Sequence, residues 1–164
     1  MAKMETTCTV CAEKSKGESA LTSCPVCGAS LEAPQKETVL KRMACRVTLP
    51  GDMAAGQKGA LILTNQRIFW IGDPSIVMGR TNSMSFAIMN NLSQNLLSRP
   101  KEMRFSLGLD EVSNIEILKK GLFRVLTITA SSGGRVVPDI KSNHRQEWID
   151  AVNDAKKRFA SENG

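Results

Sequence analysis

Residues 58–70 read KGALILTNQRIFW. Two apolar runs, Lys58 to Thr64 and Arg67 to Ile71, flank the dipeptide Asn65-Gln66, and the pattern predicts a β-hairpin reversing across that dipeptide. Upstream, Met43, Cys45, Val47 and Leu49 alternate with Arg42, Arg46 and Thr48 within Thr38 to Leu49, the period of a half-buried strand. Cys45 is therefore expected to act as a small buried hydrophobe rather than a reactive thiol. The strand closes at the turn Pro50-Gly51-Asp52.

Downstream of the hairpin, four more strands are expected at Arg104–Leu107, Ser113–Leu118, Phe123–Ala130 and Arg135–Ile140. Lys119-Lys120-Gly121 and Ser131-Ser132-Gly133-Gly134 supply the reversals between the last three. Seven short antiparallel strands with regular turns predict a barrel or sandwich.

The period then changes. Trp148, Val152, Ala155 and Phe159 fall at i, i+4, i+7 and i+11, one face of a helix. Asn143-His144-Arg145-Gln146 has the form of a capping box, and Lys156, Lys157 and Arg158 are expected in the last turn, where they complement the helix dipole. The apolar face of this helix has to be buried, and the open end of the barrel is the expected place. His144, the chain's single histidine, falls on the solvated first turn and is expected to be neither base nor ligand.

Residues 8–27, CTVCAEKSKGESALTSCPVC, hold four of the five cysteines in two CxxC pairs. A CxxC turn presents two thiolates to one ion, so Cys8 and Cys11 with Cys24 and Cys27 can complete a tetrahedral shell with no open position, which makes the site structural. Structural Zn2+ is the expected ion. Iron in a rubredoxin-like site and a pair of redox dithiols are the alternatives. Pro25 fixes one residue of the second knuckle, and Gly28 permits a positive φ after its last cysteine. A segment this short needs its metal to fold.

The boundary between the two parts is placed at the polar stretch Glu32-Ala33-Pro34-Gln35-Lys36, giving a ribbon and linker over 1–36 and a second domain over 37–164. Charge divides at the same place. Residues 1–36 carry four lysines and four glutamates, so the formal net charge of +6 for the 164-residue chain belongs to the second part. That excess favours anionic partners. An apolar content of 41% is enough for a proper core, and the chain contains no apolar run long enough to span a bilayer and no signal-peptide stretch at its N-terminus, so a cytoplasmic location is expected.

KGALILTNQRIFW, FSLGLDEVSNIEILKKGLFRVLTITASSGG and HRQEWIDAVNDA, in this order over about residues 37–160, resemble the GRAM and bacterial pleckstrin-homology-like (PH-like) family. The matching features are a gxLxlTnqRixf hairpin, an xLxxIxxvexxk strand, a long kxLxIxTxxGxxxxF hairpin and an rxeWixai helix. The resemblance implies a mainly β (α+β) fold, a PH-like seven-stranded bent sheet or barrel capped by a C-terminal helix. It also accommodates the N-terminal part, because similar bacterial proteins place a short zinc ribbon before such a domain.

Domains of this kind are platforms for phosphoinositides, acidic membrane or peptides, and fold alone does not choose among these. The loop Pro50–Gln57 lacks the Lys/Arg cluster of headgroup-gripping relatives, and only Arg46 and Lys58 flank it. Lys41, Arg42, Arg46, Lys58, Lys119, Lys120 and Arg124 are the candidates for attraction to an anionic surface. The alternative is that they protect strand edges. An insert over about 73–101 contains an amphipathic segment, 84–97, of a kind that can lie on a membrane or dock on a partner; its polar face carries no lysine, which favours packing on the barrel or self-association. No P-loop, dinucleotide glycine pattern or nucleophile elbow is present, so no enzyme activity is expected. The expected function is a noncatalytic zinc-binding adaptor that binds protein or acidic membrane surface. The alternative is a nucleic-acid-associated regulator using the ribbon and the basic strands.

Overall fold

A computed structural model describes residues 4–17, 22–30, 37–48, 57–72 and 102–163. The insert expected over 73–101, with its 84–97 segment, lies outside these residues, as does nearly all of the Pro50–Gln57 loop. The elements in chain order are β1 (Met4–Thr7), β2 (Lys14–Gly17), β3 (Val39–Thr48), β4 (Gln57–Thr64), β5 (Arg67–Gly72), β6 (Glu102–Gly108), β7 (Val112–Lys120), β8 (Phe123–Ala130), β9 (Arg135–Asp139) and α1 (Ser142–Asn163).

β3 to β9 form one antiparallel sheet of seven strands in the order β6-β5-β4-β3-β9-β8-β7. The strand that turns the sheet is β3. It pairs with β4 along nearly its whole length, from Val39↔Thr64 to Val47↔Gln57, and with β9 only at its end, through Arg46↔Asp139, Val47↔Pro138 and Thr48↔Val137. Four strands, β3 included, thus lie on one side of the β3–β9 seam and three on the other, as a bent sheet requires. The expected period-two face of β3 is observed: Val47 is buried, and Met43 and Cys45 are half-buried against the core.

Register sorts the apolar residues of the β4–β5 hairpin onto two faces. Leu61↔Trp70 and Leu63↔Ile68 point into the main core, while Ile62↔Phe69 and Ala60↔Ile71 point the other way. The main core is completed by Leu126 and Ile128 from β8 and by Trp148, Val152 and Ala155 from α1. These three are the helix residues expected from the 3.6-residue period, and Phe159 packs half-buried beside them.

Both ends of α1 differ from expectation. The helix begins at Ser142, so Asn143 is already inside the first turn and its amide meets the His144 ring at 3.2 Å instead of capping. It continues to Asn163, which places Lys156, Lys157 and Arg158 before the last turn, where no basic residue lies. Lys156 Nζ donates to the carbonyl of Val112, so it ties the helix to β7 rather than answering the dipole.

Candidate metal centre and cationic surface

Each cysteine pair sits at the tip of its own short antiparallel loop. β1 and β2 pair from Met4↔Gly17 to Thr7↔Lys14 and enclose the first knuckle, and a bridge between Ser23 and Ser30 encloses the second. The two knuckles are built alike. Cys8 N donates to Glu13 O and Ala12 N to Cys8 O; Cys24 N donates to Ala29 O and Gly28 N to Cys24 O. In both, the residue after the second cysteine is left-handed, with φ 63° at Ala12 and 68° at Gly28. The positive φ expected at Gly28 is present, and its counterpart at Ala12 falls on a residue that resists it.

The four sulfurs of Cys8, Cys11, Cys24 and Cys27 are buried and lie within 4.8 Å of one another. Cys8 Sγ and Cys27 Sγ are 3.7 Å apart, and Cys11 Sγ and Cys24 Sγ 3.6 Å. A tetrahedral ion with metal–sulfur bonds of about 2.3 Å requires sulfurs about 3.8 Å apart, so the donor set fits one such ion. Val10 N lies 3.4 Å from Cys8 Sγ and supports a thiolate there.

Without a cation the sulfurs compete for charge. Cys11 is lowered to about 5, chiefly by its hydrogen bond with Cys27, and Cys27 is pushed far up by that contact and then by burial. Burial also pushes Cys8 up. The cluster accepts its first negative charge readily and resists the next, a conflict that a dication removes.

The ribbon does not stand apart from the sheet. Val10, Ala29 and the four cysteines form one buried cluster with Ile62, Phe69 and Ile71, the outward side chains of the β4–β5 hairpin. A polar clamp reinforces this seat. Arg67 forks onto Glu37, with Nε to Oε1 and Nη2 to Oε2 both at 2.9 Å; its Nη2 also donates to Cys27 O at 2.6 Å, and its guanidinium lies 4.7 Å from the Phe69 ring centroid. Thr64 Oγ1 donates to Glu37 Oε1 at 2.7 Å and accepts the N–H of Arg67, and Asn65 Oδ1 accepts the N–H of Thr38. The Thr64-Asn65-Gln66-Arg67 turn therefore holds both the second knuckle and the start of the second domain. Sequence reading missed this role, although a signal existed: Ala60 to Leu63 and Ile68 to Ile71 are uninterrupted apolar runs, the mark of strands covered on both faces.

The seven candidate cations do not gather at one place. Lys41 is drawn to α1, 3.2 Å from Glu147 Oε2 and 5.9 Å from the Trp148 ring centroid. Arg42 is exposed on the outward face of β3. Arg46 lies opposite Lys58 on β4 and Asp139 on β9. It borders two clefts: one of about 530 Å³ shared with Lys58, Lys141 and His144, and one of about 320 Å³ shared with Lys120 and Arg145. Lys119 and Arg124 pair across the β7–β8 hairpin next to Lys120. Lys141 and Arg145 were not singled out from sequence, because their proximity to Arg46 depends on where β9 hands over to α1.

Cys45 is half-buried, and burial first, then the charge of Asp139, raises its thiol to about 11, as suits a residue that fills space. Among the described residues no helix is long and apolar enough to cross a membrane.

No protein-family model and no curated protein matches the chain. Among solved structures, similarity is found to the Vps36 N-terminal PH domain, at 16% identity with a TM-score of 0.49, over 87% of this chain and 95% of that one. The C-terminal domain of an unknown protein from Leishmania infantum is also similar, at 15% identity with a TM-score of 0.46, over 73% and 84% of the respective chains. The mainly β architecture rests on the strand order and the C-terminal helix of the chain itself.

Proposed function

We propose that this chain is a noncatalytic cytoplasmic adaptor, a zinc-braced domain similar to the GRAM and bacterial PH-like family that works peripherally at acidic membrane or on an acidic protein surface. The observation that carries this reading is the convergence of cations around Arg46, with Lys58 and Lys141 beside one cleft and Lys120 and Arg145 beside the other. Among the described residues Asp139 is the acidic one in both linings, so their side chains carry an excess of positive charge.

Cys8, Cys11, Cys24 and Cys27 would hold the ion. Zn2+ bound there supplies folding energy and no Lewis-acid chemistry, since four thiolates occupy every position of a tetrahedral site. Elemental analysis is expected to return one zinc per chain, and a coloured protein containing iron would refute that assignment. Sedimentation with phosphatidylserine vesicles and capture on an acidic polypeptide, each at low and physiological salt, test the adaptor reading. Binding is expected to weaken as salt rises and to fall in Arg46→Glu. Failure to bind either anionic surface at low salt would overturn it.

A further inference from the structure

The β7–β8 hairpin runs on past the core that it helps to enclose. Its pairing continues through Leu118↔Val125, Lys119↔Arg124 and Lys120↔Phe123, yet every residue from Lys119 to Arg124 is exposed. Gly121, at φ 61°, opens the two-residue turn, and Leu122 completes it. Leu122 is 95% exposed and Phe123 75%. Three cations surround them, Lys119, Lys120 and Arg124, and no acidic residue occurs between Ile117 and Leu126.

Two of these features are unfavourable in water. Turn positions ordinarily go to Gly, Asn, Asp or Ser, and among the described residues no packing offsets the 95% exposure of Leu122. Lys119 and Arg124 face each other directly, and like charges in that position destabilise a strand pair. Local rules broken together, with no compensating contact among the described residues, mark a functional element. Lys120 adds a further link, because it lines the 320 Å³ cleft with Arg46, Arg145 and Asp139, so among the described residues a cleft with three cations and one carboxylate adjoins the apolar tip.

We propose that the tip of this hairpin is a wedge that enters the interfacial layer of an anionic bilayer. Leu122 and Phe123 sit at the headgroup–acyl boundary, Lys119, Lys120 and Arg124 meet the surrounding headgroups, and the adjoining cleft receives a lipid phosphate. A bilayer suits the tip better than a protein does. Two apolar side chains on a protruding turn cannot form the core of a protein interface, which typically buries about 1,600 Å², whereas a fluid, uniformly negative surface needs no matching shape. The inference rests on the membrane branch of the proposed function and assigns it to one element.

The test uses the full zinc-loaded chain and vesicles of phosphatidylcholine, alone or mixed with phosphatidylserine. Leu122→Ser combined with Phe123→Ser is expected to lower the partition coefficient on mixed vesicles about tenfold or more, with thermal stability unchanged or raised because both residues are exposed. Removing any one of the three cations is expected to lower it about fivefold, on anionic vesicles only. Phe123→Trp places an indole at the tip, and brominated acyl chains are expected to quench its emission. Two results overturn the proposal and are distinguishable. If wild type binds mixed vesicles and the double serine variant binds equally well, the wedge is wrong while the membrane reading stands. If wild type binds neither vesicle, the membrane reading falls and the wedge falls with it.

Discussion

Ala12 and Gly28 occupy equivalent positions in the two knuckles and share a left-handed backbone. Glycine takes that conformation freely, whereas alanine is strained in it. Ala12→Gly is therefore expected to stabilise the metal-bound protein by about 1 kcal/mol and Gly28→Ala to destabilise it by about as much, read from urea unfolding with zinc present. Nothing lies within 4 Å of a Cβ built on Gly28, so the difference isolates backbone conformation from packing. Cys45 gives a second residue-scale prediction. Because its thiol is raised to about 11, the reactive thiolate is scarce at neutral pH and grows only as pH climbs toward that value. Alkylation at pH 8 is expected to be roughly a hundredfold slower than for a free cysteine, as followed by mass spectrometry of the zinc-loaded chain.

At the scale of elements, the β4–β5 hairpin decides most. A Cβ on Gly59 would meet Ile71 O at 2.1 Å and the Trp70 ring at 2.6 Å, so the indole packs over a strand position that has no room for a side chain. Gly59→Ala is expected to cost about 1–3 kcal/mol, measured as a lowered denaturant midpoint with unchanged m-value. The hairpin also shows what was legible in the sequence. Its strands and its reversal at Asn65-Gln66 follow from local pattern, and so do the period-two face of β3 and the helix face at Trp148, Val152 and Ala155, because each is set by residues near one another in the chain. The four cysteines were legible too, since CxxC spacing is local chemistry. What lay between these elements was not. Arg67 reads as an ordinary strand residue until the fold brings Glu37 and Cys27 to it, and Lys141 and Arg145 become neighbours of Arg46 only through the β3–β9 pairing. The capping box at Asn143 is not formed, because the helix already begins at Ser142, with His144 N donating to Lys141 O and the Asn143 amide meeting the His144 ring.

For the whole molecule, the shared cluster of the four cysteines with Ile62, Phe69 and Ile71 predicts that ion binding and sheet stability are energetically joined. The face carrying Ile62, Phe69 and Ile71 is covered by the ribbon, and the ribbon is held in shape by its four-sulfur cluster. If the four cysteines hold Zn2+ as proposed, removing it leaves four crowded thiols in a segment too small to keep its own fold, so the cover should come off and the outer face of β4–β5 should meet water. Uncovering three large apolar side chains costs at most about 9 kcal/mol, and Arg67 would lose its acceptor at Cys27 O. Chelation is therefore expected to lower the urea midpoint of the seven-stranded sheet as well as unfold the ribbon, with dye binding at the exposed face and a tendency to associate. Ile62→Ser with Phe69→Ser tests the same coupling from the other side. These residues do not touch the main core, so the sheet should survive, while the ribbon should bind zinc more weakly in competition with a chromophoric chelator. If chelation melted the ribbon and left the sheet's midpoint where it was, the seat on β4–β5 would carry no net energy, and the two parts would have to be treated as separate domains on a tether.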